Sequence, residues 1–137
     1  MSQGFSRHQR LVAAAEYRNV FTTPDSKAGD ASCLLLASRN TLKQHRLGLA
    51  VAKKHIPSAV QRNRFKRLAR ERFRRLERRN PALDIVVLSR PAAATCSGQD
   101  LGRALDRQFA RILRRTATGF NAAGETRASQ ATQTIQP

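Results

Sequence analysis

A chain of 137 residues with 40% hydrophobic content is long enough for one domain around a single small core. Its 26 lysines and arginines against 9 acids leave a net charge of +17, a self-repelling excess that only an anionic partner rewards. No stretch approaches the ~18 apolar residues of a membrane span, and Cys33 and Cys96 sit outside any CxxC or CxxxH spacing, which argues against zinc.

Residues 1–10 are polar and basic, with no apolar signal-like segment, and are expected to be a flexible N-terminus. The sequence therefore predicts a cytoplasmic protein with both thiols buried and reduced. Leu11 to Phe21 carries Leu11, Ala14, Ala15, Val20 and Phe21 at helical spacing, and Tyr17 and Phe21, four apart, share a face. Thr22 to Ala31, with Pro24, Asp25, Gly29 and Asp30, gives a loop or hairpin signal. Ser32 to Ser38 is a continuous apolar run of strand length. Arg46 to Lys53 alternates, with Leu47, Leu49 and Val51 on one side and Gly48, Ala50 and Ala52 on the other. Small residues along one strand face imply that something packs close against it.

Ser58 followed three residues later by Gln61 is a capping-box pattern that opens a helix. Its predicted end is Arg79, where Asn80-Pro81 disfavours further helical turns. Asp84 to Arg90 reads as a buried strand from its β-branched content. Residues 91–98 read as a loop, and Asp100 to Thr116 as an amphipathic helix with Arg103, Arg107, Arg111, Arg114 and Arg115 on its outer side. The organisation expected is a flexible segment 1–10, one domain over 11–116 and a disordered tail over 117–137. Helix, strands, helix, strand and helix in that order predict an α+β sandwich with a small sheet, in which the strands flanking the central helix form a βαβ unit if they are parallel neighbours.

The central helix is the most informative segment. Residues 62–79 hold ten basic and two acidic side chains, a charge of +8 in 18 residues. Phe65, Leu68, Ala69, Phe73 and Leu76 nevertheless fall within about 140° of helical arc. A basic tail has no need of that spacing. Asn63, Lys66, Arg67, Arg70, Arg74 and Arg78 fall on the opposite side. Arg72 lies inside the apolar arc, so its stem is expected to snorkel to the edge. The series Arg62, Lys66, Arg70 and Arg74 stacks like charges at i,i+4, each costing a few tenths of a kcal/mol. A helix selected for stability alone would not do that. Arginine's planar fork suits phosphate and stacks on bases, so the helix reads as a nucleic-acid surface. A membrane-surface helix would need Trp, Leu or Phe on its outer face, which this one lacks.

No catalytic constellation accompanies the charge. His8, His45 and His55 have no paired carboxylate in sequence reach and read as surface residues. The acids are too scattered for a protein-based two-metal site. A free-standing nuclease is therefore disfavoured, while a structural RNA binder stays open on these grounds.

Arg46-Leu47-Gly48-Leu49-Ala50-Val51-Ala52-Lys53-Lys54, followed by Ala59-Val60-Gln61-Arg62-Asn63-Arg64-Phe65-Lys66-Arg67-Leu68-Ala69-Arg70-Glu71, closely resembles the protein-subunit family of bacterial ribonuclease P. The Arg-Asn-Arg helix preceded by a Gly-containing strand that ends in Lys-Lys is the specific combination, and the resemblance extends over about residues 7–116. It implies an α-β-β-β-α-β-α sandwich with a small mixed sheet, a ribosomal-protein-like fold and a left-handed βαβ crossover against the usual hand. It further implies a catalytic RNA partner that hydrolyses the 5′ leader from precursor tRNA with Mg2+, no dedicated metal site on the protein, no membrane and no obligate protein partner. Carried onto this chain, Arg62, Asn63, Arg64, Lys66, Arg67 and Arg70, with Lys53 and Lys54, become the RNA-binding residues. Tyr17 and Phe21 become the leader-cleft aromatics. Residues 33–37 depart from the pattern: some members place an aromatic on this strand, whereas here it is aliphatic or small, which leaves the two rings as the main stacking platform.

Overall fold

The computed structural model describes residue 10 and residues 14–42, 44–76 and 82–121, with side chains from Tyr17 in the first helix to Thr116 in the last. The elements are α1 (Ala14–Thr22), β1 (Ser26–Gly29), β2 (Cys33–Arg39), β3 (Arg46–Ala50), α2 (Ala59–Arg74), β4 (Leu83–Ser89) and α3 (Gly98–Asn121), with a short 3-10 turn at Pro91–Ala94. The chain thus has the α+β order α-β-β-β-α-β-α. Its four strands form one mixed sheet, ordered β1-β2-β4-β3. β2 runs antiparallel to β1 and β4, and β3 runs parallel to β4. β3, α2 and β4 are therefore a βαβ unit between neighbouring strands.

The sheet is the middle of three layers. On one face Leu35, Leu47, Leu83, Ile85 and Val87 pack against Phe65, Ala69 and Phe73 of α2 and Leu101, Leu105, Phe109 and Ile112 of α3. On the other face α1 sets Val20 on Leu36 and Val86, with Tyr17, Leu34, Ala50 and Leu88 half-buried around them. β4 is covered on both sides, which is why Ile85-Val86-Val87 is an unbroken apolar run rather than an alternating one. The charged residue in β4 is Asp84. It is held by a bidentate pair with Arg46, both contacts 2.8 Å, and by Asn40 Nδ2 at 2.8 Å.

Small residues on β3 make room for α1. A Cβ on Gly48 would lie 2.6 Å from Tyr17 Cε1. The close packing expected beside Gly48 is the Tyr17 ring itself. β1, where the residues alone gave only a loop or hairpin signal, is a strand of small residues in which Ser26 and Ala28 are buried. With no large apolar side chain, it carried no strand signal of its own.

Several boundaries and side chains depart from the sequence expectation. α2 ends at Arg74, not Arg79. The amides of Arg75 and Leu76 fold back onto the Arg72 and Phe73 carbonyls, which tightens the last turn and turns Leu76 toward the core. The stop at Asn80-Pro81 lies outside the described residues. β3 ends at Ala50, and Ala52 is tied to the Ser89 hydroxyl at 3.0 Å before the chain turns. α3 continues to Asn121, so residues 117–121 of the expected tail are helical; 122–137 lie outside the described residues. The residues over 117–121 include Ala117, which favours helix, and residues 103–118 contain neither Gly nor Pro. His45 is buried rather than on the surface, because its Nδ1 accepts the Leu83 amide at 3.0 Å. His55 is half-buried beside Ser89, and His8 lies outside the described residues. Cys33 is fully buried, and burial, helped by the Asp30 charge, pushes its thiol up to about 12; Cys96 is only half-buried.

The Gly48–Tyr17 contact predicts that Gly48→Ala destabilises the fold by about 1–3 kcal/mol, as overpacking does. In urea unfolding, Tyr17→Ala combined with Gly48→Ala should cost less than the sum of the single changes. Additive costs would show that the ring does not set the packing there.

Candidate nucleic-acid interface

α2 is built so that its apolar arc points inward. Phe65 and Ala69 are completely buried and Phe73 nearly so. Ser58 caps the helix by accepting the Gln61 amide at 3.3 Å. With the inner arc fixed, the cations divide into two sets according to what they touch.

The first set is bound inside the protein. Arg62 donates Nη1 to the carbonyls of Ile56 (3.0 Å) and Pro57 (2.8 Å), fastening the start of α2 to the loop before it. Arg64 donates Nη2 to the Cys96 carbonyl at 2.9 Å, tying α2 to the turn that precedes α3, and its Nε is buried with no partner. Arg72, inside the apolar arc, does not snorkel outward. It lies between the two helices, 3.3 Å from Asp106 and 3.7 Å from Glu71, with its Nε donating to the Gly102 carbonyl at 3.4 Å. A Cβ at Gly102 would sit 2.3 Å from the guanidinium, so the glycine makes the space the arginine occupies.

The second set faces outward. Asn63 and Arg67 are exposed and Lys66 and Arg70 half-exposed. Among the described residues only Arg67 has an acidic neighbour, Glu71 at 4.0 Å, and Arg72 shares that carboxylate. Lys53 and Lys54 are exposed in the turn that joins the end of β3 to the Ser58 cap, so they sit at the same end of the molecule as the start of α2. Val60, in the first turn of α2, is 78% exposed and adds an apolar contact point among the charges. Its only signal in the sequence is its place one residue before the Gln61-Arg62-Asn63 run.

Tyr17 and Phe21 are on the opposite face of the sheet, on α1. Phe21 is 43% exposed, whereas Tyr17 is half-buried with its ring against Gly48. On this face the sheet offers Leu34, Ala50 and Leu88, all half-buried, in one cluster with Tyr17. The structure therefore separates the predicted residues into a cationic surface on the α2 layer and an aromatic and aliphatic surface on the α1 layer. Lys53 and Lys54 lie at the strand ends between the two.

This division predicts opposite effects on stability. Arg64→Ala removes a charged hydrogen bond to a half-buried carbonyl and should cost about 1.5–3 kcal/mol in a thermal melt. Arg67→Ala with Arg70→Ala should leave the melt within about 0.5 kcal/mol of the parent. Equal losses in the two variants would mean that the inward and outward sets have been assigned wrongly.

Comparison with known proteins agrees with this architecture. The Ribonuclease P family model matches residues 5–113. The chain is 41% identical over 114 residues to the ribonuclease P protein component of Aliivibrio salmonicida, covering 83% of this chain and 97% of the relative. The solved structure of the Staphylococcus aureus RNase P protein superposes with a TM-score of 0.67 at 24% identity, covering 76% of this chain and 96% of that one, a likeness of fold. The Thermotoga maritima RNase P protein, solved in complex with a fluorophenyl thiourea, gives a TM-score of 0.60 at 26% identity over 70% of this chain and 92% of the other. With its basic helix, its mixed sheet and these relatives, the chain belongs to the ribonuclease P protein family.

Proposed function

We propose that this protein, an accessory subunit of a tRNA-processing endoribonuclease, grips its catalytic RNA through the outward face of α2 and holds the 5′ leader of precursor tRNA on the α1 face. The observation that carries the reading is the outward row of Lys66, Arg67 and Arg70, with the neutral Asn63 among them, on a helix whose other side is locked in the core, joined by Lys53 and Lys54 in the turn before it; of these cations only Arg67 has an acidic neighbour among the described residues. Phosphate oxygens are the complement that such a surface lacks within the protein. Arg62 and Arg64 act in this reading mainly by holding α2 in place.

The leader site rests on a different feature. Phe21 is open enough to stack on a base, and on the same face of the sheet the half-buried Leu34 and Leu88 give an apolar floor under α1. Tyr17, with its ring on Gly48, sets the position of α1 above that floor. Lys53 and Lys54 stand where a strand leaving this face would pass toward α2.

Hydrolysis is assigned to the RNA, using Mg2+. Of the described carboxylates, Asp25, Asp30, Asp84, Glu71 and Asp106 each have an arginine neighbour, which supports leaving the metal to the RNA. Among the described residues no three His, Cys, Asp or Glu side chains group to hold an ion. No helix among them is long and apolar enough to cross a membrane, and the reading places the protein in the cytoplasm with its RNA. The protein's contribution is to lower the repulsion between two polyanions.

The test is precursor tRNA processing with ribonuclease P RNA at low Mg2+. Adding the protein should restore correct 5′ cleavage, and Arg67→Ala with Arg70→Ala should raise the Mg2+ requirement. Affinity for leader-bearing substrate should fall with salt at a log–log slope of about −0.7 per neutralised phosphate. Cleavage by the protein without RNA, or binding indifferent to salt, would contradict the proposal.

A further inference from the structure

The arginines of α3 form a second cationic surface that the α2 interface does not use. Arg103, Arg107, Arg111 and Arg114 recur at i, i+4, i+8 and i+11, which places them on one stripe about 16 Å long. All four are exposed, as is Arg115. α3 lies over β1 and β2, whereas α2 lies toward β3 at the other edge of the sheet. The two surfaces share the helical layer but open toward opposite edges.

The stripe is extended by cations gathered on the β1 hairpin. Arg115 donates Nη1 to the Lys27 carbonyl. Arg90 donates Nη1 to the Asp30 carbonyl at 3.0 Å, and Arg107 stands 3.6 Å from the Asp30 carboxylate. Burial first, and then Arg90, hold the Lys27 ammonium below its ordinary value; burial, then Arg111 and Arg114, do the same to Arg115. Asp30 is the carboxylate at the centre of this group, and it is already committed. It accepts the Ser32 amide and hydroxyl at 2.8 Å each, the Cys33 amide at 3.2 Å and Gln108 Nε2 at 3.4 Å. Burial alone would raise its pKa, yet the Ser32 and Cys33 bonds and then Arg107 hold it below the ordinary carboxylate value.

Charge on an edge strand also prevents edge-to-edge pairing, and Lys27 on β1 is sufficient for that. A four-arginine stripe on the neighbouring helix goes beyond it and works against helix stability. We propose that the α3 stripe and the β1 edge are a second RNA-binding surface, engaging phosphates of the catalytic RNA at a segment separate from the one on α2. The occupant follows from the layers. α2 and α3 lie on the same face of the sheet, so an RNA lying over α2 continues toward α3, whereas the leader is assigned to the opposite face. Two sites on one rigid body bind one RNA with the second contact intramolecular, which raises affinity without any new kind of contact. This proposal rests on the reading of the protein as a ribonuclease P subunit.

The experiment compares the full chain, Arg67→Gln with Arg70→Gln, and Arg103→Gln with Arg111→Gln and Arg114→Gln. Each is titrated with ribonuclease P RNA across a salt series, with precursor tRNA as a separate arm. Three lost duplex-phosphate contacts should reduce the magnitude of the log–log salt slope by about 2–3 and weaken binding at least tenfold at low salt. An unchanged slope and affinity in the α3 variant, with the α2 variant impaired, overturns the second surface and leaves the α2 reading intact. Failure of the parent protein to bind the RNA overturns both. A loss confined to precursor tRNA also overturns the assignment. If the triple variant melts lower, Arg103→Glu carries the test, since Arg103 makes no hydrogen bond or ion pair among the described residues; it should still weaken RNA binding several-fold, and parental affinity would overturn the proposal.

Discussion

The structure depends on how α2 is seated. Phe65, Ala69 and Phe73 are driven into the core between the sheet and α3, and this single constraint decides where every cation on the helix points. Burying those three side chains contributes roughly 1.5–3 kcal/mol for each phenylalanine and less for the alanine. That gain offsets the repulsion of a helix crowded with like charges. The inward arginines complete the seating: Arg62 and Arg64 fasten its first turns, and Arg72 fills the space over Gly102 against Asp106. The outward residues are left displayed on a fixed scaffold. Pre-fixed donors lose less entropy when they meet a phosphate than donors on a mobile tail would.

The same logic explains why the sheet has two differently built faces. The α2–α3 layer covers it with large side chains and closes it. On the other face α1 covers it in part, with Val20 and Tyr17 inward and Phe21 open. Gly48 permits this by letting the Tyr17 ring approach the strand. The polar end of that face is closed by Arg46, Asp84 and Asn40, whose mutual hydrogen bonds satisfy a carboxylate that is almost fully buried. In the proposed function the first face meets phosphate and the second meets bases, with the Lys53-Lys54 turn between them.

Much of this was legible in the residues, for identifiable reasons. Strong periodicity gave α2 and α3, the unbroken apolar runs gave β2 and β4, and the Ser58 cap was found where its spacing placed it. Small residues on β3 correctly announced a close neighbour. What the residues concealed depended on tertiary contacts. β1 is held by pairing with β2 rather than by its own side chains. α2 ends when Leu76 turns toward the core, an event no proline marks. His45 looks like a surface residue until the Leu83 amide is seen pointing at it. Within the basic run, sequence could count arginines but not separate those that hold the helix from those that face outward. Arg62 and Arg64 have backbone carbonyls as partners, and a carbonyl leaves no trace in residue identity. The family signature treats all six positions alike, whereas their contacts in the folded protein divide them.

The most direct measurement is arginine modification by a phenylglyoxal reagent, mapped by mass spectrometry with and without ribonuclease P RNA. Arg67 and Arg70 should react readily in the free protein and be protected by the RNA, while Arg64 and Arg72 stay slow to react in both states. Rapid modification of Arg64 and Arg72 in the free protein, or equal reactivity of Arg67 and Arg70 with and without RNA, would contradict the account.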